Sequence, residues 1–211
     1  MAEIEYFYSA HSAFAYLGLA RLMEIAAAKG ATIVHKPMDL RRVIAAVYPP
    51  PGIQAFRTPE RTTYFFRHEI ERWAEYRGIE VMKGRPTHHD NDIAPSNCML
   101  IAGIQAGIDI GPLAHAMLEA HWRDDANLAD MDTLVKLALD LGLDPNPLVT
   151  GIDDASVKAV YEANTQDAIE RSVFGSPTYF LDGDMFYGQD HLEMLERALE
   201  QPFAAPWPRT P

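Results

Sequence analysis

The feature that most restricts the fold of this chain is the placement of its β-type segments at the two ends, with a long helical stretch between them. Residues 3–8, Glu-Ile-Glu-Tyr-Phe-Tyr, combine β-branched and aromatic side chains and run directly into Ser9-Ala10-His11-Ser12, a cluster suited to a turn and a helix cap. From Ala13 to Lys29 the residues Phe14, Leu17, Leu19, Leu22, Met23, Ile25 and Ala26 put apolar positions three and four apart. Gly30 stands where a helix C-terminal glycine belongs. Residues 32–38 return to β composition, so the first ~40 residues form a β-α-β unit whose strands should be parallel and joined right-handedly. At the other end, Val173 to Leu181 reads as a turn and a β run, Asp182-Gly183-Asp184 as a hairpin connector, and Met185-Phe186-Tyr187 as a short strand. A last helix follows over about 189–200, with Leu192, Leu195 and Leu199 on one face.

Together the two ends contain one four-stranded mixed sheet with helices. The expected fold class is α/β, a single domain interrupted by a large all-helical insertion, with the α/β part at 1–45 and 170–204 and the insertion at 46–169. Tyr48-Pro49-Pro50-Pro51-Gly52 marks the change of character, because it continues neither a helix nor a central strand. Helical patterns then cover 60–77, 96–107, 112–123, 130–141 and 154–172. A polar loop lies at 80–95, and Gly111-Pro112, Asn127 and Asp144-Pro145-Asn146-Pro147 act as punctuation.

Charge and composition remove several functions. The 211 residues carry 18 Lys+Arg against 30 Asp+Glu, a formal charge of −12, which offers no broad footprint for nucleic acid or an anionic membrane. At 48% hydrophobic the chain has material for a real core. No secretory leader and no apolar stretch near the ~20 residues of a membrane span is visible, so a soluble protein is expected. Cys98, the single cysteine, excludes an intramolecular disulfide, a Cys-x-x-Cys pair and a thiolate-rich zinc site, and a reducing, cytoplasmic setting fits best.

Two junctions carry the candidate chemistry. A helix starting near Ser12 concentrates unpaired N–H groups and partial positive charge, which favours a bound anion or thiolate; the same serine is equally an ordinary N-cap. In Phe174-Gly175-Ser176-Pro177-Thr178 a proline opens a strand after a turn. A cis Ser176–Pro177 bond would be a specific device there, although trans is the default for X-Pro bonds. His11 adjoins Ser12 but has no identifiable triad partner, and no Gly-x-Ser-x-Gly elbow is present. His88-His89-Asp90-Asn91-Asp92 is rich in ligand types without metal-site spacing, so no metal is expected. Phe56, Tyr64, Phe65, Phe66 and Trp73 would line an apolar pocket or, more commonly for such a stripe, pack in the core.

The order of elements resembles the thioredoxin fold with a helical insertion, as in bacterial disulfide oxidoreductases and kappa-class glutathione transferases. More narrowly, Ser12-Ala13-Phe14-Ala15-Tyr16-Leu17 resembles the Ser-Pro-[Tyr/Phe]-x-Tyr-Leu motif of 2-hydroxychromene-2-carboxylate isomerases. Val173-Phe174-Gly175-Ser176-Pro177-Thr178 and Tyr187-Gly188-Gln189-Asp190 are similar to that family's Val-Phe-Gly-Val-Pro-Thr and Trp-Gly-Asn-Asp segments. Glu69-Ile70-Glu71-Arg72-Trp73-Ala74, ending at Gly78, is similar to its Asp-Leu-x-Arg-Trp-Ala…Gly helix.

The resemblance implies a cytoplasmic, homodimeric, glutathione-dependent cis-trans isomerase of a conjugated aromatic 2-oxo acid, working by reversible thiolate addition in aromatic-compound catabolism. It implies that Ser12 holds the glutathione sulfur and that Ser176, before Pro177, pairs through its backbone with the cysteinyl part. Tyr187, Gly188, Gln189 and Asp190 would receive the γ-glutamyl end, with Asp190 on its ammonium; a helix N-terminal acid is the plainer role for Asp190. The sequence departs from that pattern where the family lysine falls near Ile44, leaving Arg41 or Arg42 to meet an acidic substrate, Arg42 more in the manner of a solvated helix charge. Phe56-Arg57 is the nearest match to a family Asn-Arg pair, which makes Arg57 a second substrate candidate, and His191 stands where the wider family often has Arg. The alternatives are a kappa-like glutathione transferase or peroxidase and a non-catalytic thioredoxin-fold binding module.

Overall fold

The computed structural model describes residues 1–52, 58–205 and 207. Strand β1 (Glu3–Tyr8) leads through a short turn into helix α1 (Ala13–Lys29), which returns the chain to β2 (Thr32–Pro37). Near the far end, β3 (Thr178–Leu181) and β4 (Asp184–Tyr187) form a hairpin. The four strands make one sheet in the order β2-β1-β3-β4. β1 runs parallel to β2, with Tyr6 opposite His35, and antiparallel to β3, with Tyr6 opposite Tyr179. The mixed sheet expected from the two chain ends is thus present, and its central pair joins strands about 170 residues apart. The connector Asp182-Gly183 takes positive φ at both residues, 50° and 85°, the backbone of a tight hairpin turn whose twist matches the strands.

The remaining helices are α2 (Leu40–Val47), α3 (Pro59–Thr63), α4 (Ile70–Arg77), α5 (Ala94–Gln105), α6 (Gly111–Trp122), α7 (Met131–Asp140), α8 (Pro145–Gly151), α9 (Ala155–Glu170) and α10 (Leu192–Glu200). Two were not legible in the sequence. α2 is capped by Asp39, whose carboxylate accepts the Arg42 N–H at 3.1 Å. Asp144-Pro145 starts α8 instead of breaking a helix: Asp144 accepts from the Asn146 N–H at 3.0 Å, and proline is tolerated in a first turn. The helix expected over 60–77 is continuous, but Tyr64–Glu69 within it is wound as a π-helix. Among the described residues no helix is long and apolar enough to cross a membrane.

Side chains alternate across β1, so Ile4, Tyr6 and Tyr8 enter one apolar cluster and Phe7 another. The larger cluster runs from the sheet through Leu19, Leu22 and Ile25 of α1 to Met99, Leu118, Leu134 and Leu148 of the helical block. Tyr6 stacks on Tyr8 at 4.1 Å and on Tyr179 across the strands at 5.4 Å. On the opposite face, Phe7 and Phe180 pack with Met38, Val43, Ala168 and Val173. Core packing does not extend to Tyr64, Phe65 and Phe66, which are 45%, 48% and 47% exposed. The α3–α4 run buries Ile70 and Ala74, while no residue of its π-helical turn is buried. Trp73 packs partly on the core with the Arg77 guanidinium 5.2 Å from its ring. Phe56 lies outside the described residues.

Gly18 lets α1 approach the C-terminal turn, since a Cβ there would lie 2.7 Å from Gln189 Cβ and 3.2 Å from Tyr179 Oη. Gly18→Val should lower stability by about 2 kcal/mol through overpacking. Gly30→Ala, at φ 62° with open space around it, should cost about 1 kcal/mol by backbone strain alone. Urea unfolding of the two variants measures the difference.

Candidate functional site

The chain leaves β1 at Tyr8 and turns tightly, with the Ser12 N–H donating to Ser9 O at 3.0 Å. Ser12 is extended (φ −78°, ψ 123°) and caps α1: its Oγ accepts the Ala15 N–H at 3.3 Å. The Ser12 hydroxyl hydrogen goes to Ser176 O at 2.9 Å, and the Ser9 N–H donates to Ser176 Oγ at 3.2 Å. The sheet therefore brings together two serines separated by 164 residues, each less than a tenth exposed. The Ser176–Pro177 bond is cis. Among the described residues the N–H groups of Ala13, Phe14 and Ser176 make no hydrogen bond, and Ser176 O receives only the Ser12 hydroxyl. Unpaired N–H groups at a helix start, beside a hydroxyl and an open peptide group, form a cradle for an anion.

A buried amide holds this turn. Asn97, fully buried on α5, accepts the Ala10 N–H at 3.0 Å and donates to Ser9 Oγ at 3.1 Å and Ile93 O at 2.9 Å. Trp122 Nε1 donates to His11 O at 2.8 Å. His11 Nδ1 lies 2.8 Å from Ser9 Oγ, and its ring is 4.9 Å from that of His89. His89 Nδ1 meets His121 Nε2 at 3.1 Å, and His121 Nδ1 meets Ala126 O at 3.0 Å. Burial, reinforced by neighbouring cations and imidazoles, pushes His11 well below the usual histidine range and His89 down to about 4; His121 is lowered by burial too.

The Tyr187–Asp190 segment is tied to the same turn, because the Gly188 N–H donates to Pro177 O at 3.0 Å. Gly188 takes φ 92°, and a Cβ there would collide with the Asp190 carboxylate. Tyr187 is 44% exposed and packs edge-on against Phe174 at 5.7 Å. Gln189 is 1% exposed. Its Oε1 accepts from Arg77 Nε at 2.8 Å and its carbonyl from Arg77 Nη2 at 3.1 Å, so the helical insertion orients this segment. The Asp190 side chain is half exposed in the 3₁₀ turn Gln189–His191 and lies 3.5 Å from His191 Nδ1.

Arg41 donates through Nη2 to His89 O at 3.0 Å and Asn91 O at 2.8 Å, and has no carboxylate partner among the described residues. Arg42 instead pairs with Glu162 at 2.5 Å. Arg57 lies outside the described residues. Asp90 pairs with Arg85, and among the described residues no group of three His, Cys, Asp or Glu side chains is arranged to hold a metal ion. Sequence reasoning missed Asn97, His121, Trp122 and Arg77. Asn97 had a signal, an amide inside an otherwise apolar helix; the others act through contacts between distant segments.

A family model described as a DSBA-like thioredoxin domain matches residues 3–200. Over 202 residues the chain is 29% identical to a 2-hydroxychromene-2-carboxylate isomerase of Pseudomonas putida, covering 93% of each chain. It is similar to the solved structure of a 2-hydroxychromene-2-carboxylate isomerase, with TM-score 0.76 and 26% identity over 94% of this chain and 95% of that one. The cytosolic disulfide reductase DsbM of Pseudomonas aeruginosa, solved with GSH, shares the fold at TM-score 0.60 and 18% identity, covering 95% and 93% of the two chains.

Two outcomes are expected. Asn97→Ala strips partners from buried groups of the 9–12 turn and should cost about 2–3 kcal/mol in urea unfolding. Burial also pushes His35 down to about 4. Unfolded, His35 and His89 bind a proton near pH 6.5; folded, near 4. Between those values the unfolded chain binds more protons, so stability should fall as pH drops from 6.5 towards 4. Urea midpoints at pH 7 and pH 5, with histidine NMR titration, test the sign.

Proposed function

The chain belongs to the DsbA-like thioredoxin-domain family, and from that premise we propose that it is a glutathione-dependent isomerase of the 2-hydroxychromene-2-carboxylate type, acting on a conjugated aromatic 2-oxo acid. The observation that carries this reading is an anion cradle with no sulfur of its own. Ser12 and Ser176 converge on the start of α1, while Cys98 is buried on α5 with its thiol pushed up to about 11 by burial. A reactive sulfur has to arrive with a ligand, and a low-pKa thiolate needs the electropositive surroundings that the helix start provides. Full-length similarity to isomerases of this name supports the reaction, and the GSH held by the same fold in DsbM supports the ligand class.

The open groups fit glutathione. Among the described residues the Ser176 N–H has no partner and its carbonyl has one that can move, which suits pairing with the cysteinyl amide as an added strand. In this reading the half-exposed Asp190 carboxylate takes the γ-glutamyl ammonium, with Tyr187, Gly188 and the Arg77-anchored Gln189 shaping that end. When bound, glutathione supplies a thiolate that adds reversibly to a conjugated C=C bond, so that the carbon frame can rotate before the double bond re-forms.

The chain's own residues perform three tasks. Ser12 has one hydroxyl hydrogen, and it rests on Ser176 O. Turning it onto the sulfur frees Ser176 O to accept the cysteinyl N–H, so no hydrogen bond is lost in the exchange. The Ala13 and Phe14 N–H groups, with the helix dipole, favour the ionised thiol over the neutral one. Arg41, without a carboxylate partner among the described residues, holds the substrate carboxylate; Arg57 is the second proposed contact.

Ser12→Ala should leave the fold intact, reduce the fraction of bound glutathione present as thiolate, read by absorbance near 240 nm, and lower kcat/KM on the order of 10²–10³-fold. Glutathione should be recovered unconsumed after many turnovers. Full glutathione-dependent turnover by the variant contradicts the role of Ser12, and stoichiometric glutathione consumption favours a transferase.

A further inference from the structure

His11 carries a polar atom that none of this uses. Its tautomer follows from its neighbours. The Ala10 N–H fixes Asn97 Oδ1 as an acceptor, so Asn97 Nδ2 donates to Ser9 Oγ. Ser9 is fully buried, and the acceptor available to its hydroxyl hydrogen is His11 Nδ1 at 2.8 Å. The proton of a neutral His11 therefore sits on Nε2, where it makes no hydrogen bond among the described residues. Trp122 fixes the backbone beneath it through His11 O.

Next to it, His121 Nδ1–H donates to Ala126 O, which leaves His121 Nε2 to accept from His89 Nδ1–H. Burial, and then His89, His121, Arg41 and Arg85, disfavour a charge on His11. Neutral imidazole suits a site for a thiolate: an imidazolium would pair with the sulfur in the ground state, whereas a neutral N–H donates without surrendering its proton.

Contacts link these groups in the order in which the proposed substrate carries its own. The sulfur position lies at Ser12. His11 follows, its ring on Ser9 Oγ and 4.9 Å from His89, and the His89 carbonyl holds Arg41. A conjugated 2-oxo acid carries, in the same order, the electrophilic carbon β to the ketone (C4 of the acid), the 2-oxo group and the carboxylate. We propose that His11 Nε2–H is a catalytic hydrogen-bond donor to the 2-oxo oxygen of the substrate, between the sulfur position at Ser12 and the carboxylate position at Arg41. As a thiolate adds at the β-carbon, the C=C pair shifts towards the 2-oxo oxygen, whose negative charge His11 stabilises without proton transfer. The pair returns when the nucleophile leaves and the double bond re-forms.

This assignment rests on the isomerase reading, and its test separates the two. In wild-type protein labelled with 15N-histidine and loaded with glutathione, NMR should show His11 as the neutral Nε2–H tautomer. Adding phenylglyoxylate, an aromatic 2-oxo acid without a conjugated C=C, should move that proton downfield. His11→Phe should lower kcat 10²–10³-fold with the glutathione Kd unchanged within twofold, and His11→Gln, which keeps an N–H donor, should recover at least tenfold of the loss. A His11→Phe loss under tenfold, or an equal loss of glutathione affinity, overturns the donor role and leaves the isomerase reading standing. An unshifted His11 proton with phenylglyoxylate bound does the same, even if His11→Phe fails to fold. Wild-type protein that binds neither glutathione nor phenylglyoxylate overturns both.

Discussion

The antiparallel pairing of β1 with β3 is the constraint on which the rest of the molecule depends. β1 sits between β2 and β3, with Phe7 opposite Thr178, so the end of the first strand and the start of the third lie side by side at one end of the two central strands. The turn leading to Ser12 leaves from one, and the turn carrying Ser176 and Pro177 enters the other. A slip of one residue would put Tyr6 and Tyr179 on opposite faces and break the stacked column at the centre of the core. The hydrogen bond from Ser12 to Ser176 is a consequence of that register. Apolar packing of the whole domain, rather than any local motif, sets the distance between the two serines.

The electrostatics of the site run against those of the molecule. A chain with a formal charge of −12 presents unpaired helix N–H groups at Ala13 and Phe14 and an arginine, Arg41, with no carboxylate partner among the described residues. Several other cations sit on carboxylates: Arg21 with Glu196, Arg42 with Glu162, Arg123 with Glu119 and Asp124. Under the proposed function, these groups supply positive charge where an anionic ligand enters a negative protein. Three imidazoles beside it are kept neutral by burial, so they add donors and acceptors without adding charge that would compete for the thiolate.

Much of the fold was legible because its signals are local. The β-α-β and β-β-α ends, the Gly30 stop and the Asp182-Gly183 hairpin each follow from short-range rules, and the mixed sheet followed from their order. α2 and α8 were lost because they are short, and their start signals, Asp39 and Asp144-Pro145, read as ordinary turn residues. Tyr64, Phe65 and Phe66 looked like a core stripe, whereas their segment is π-wound and buries none of them. Within the site, Ser12 and Ser176 stood at junctions visible in the sequence. Asn97, Trp122, His89, His121 and Arg77 were invisible as partners, since each meets its target across 32 to 112 residues of chain and nothing in spacing encodes such a meeting.

The central claim, that this fold works with a borrowed sulfur at the start of α1, is tested most directly by a crystal structure of the protein with glutathione bound. The account predicts the sulfur within hydrogen-bond distance of Ser12 Oγ and the cysteinyl amide paired with the Ser176 backbone. A sulfur remote from Ser12, or a glutathione bound away from the Ser176–Pro177 turn, would contradict it.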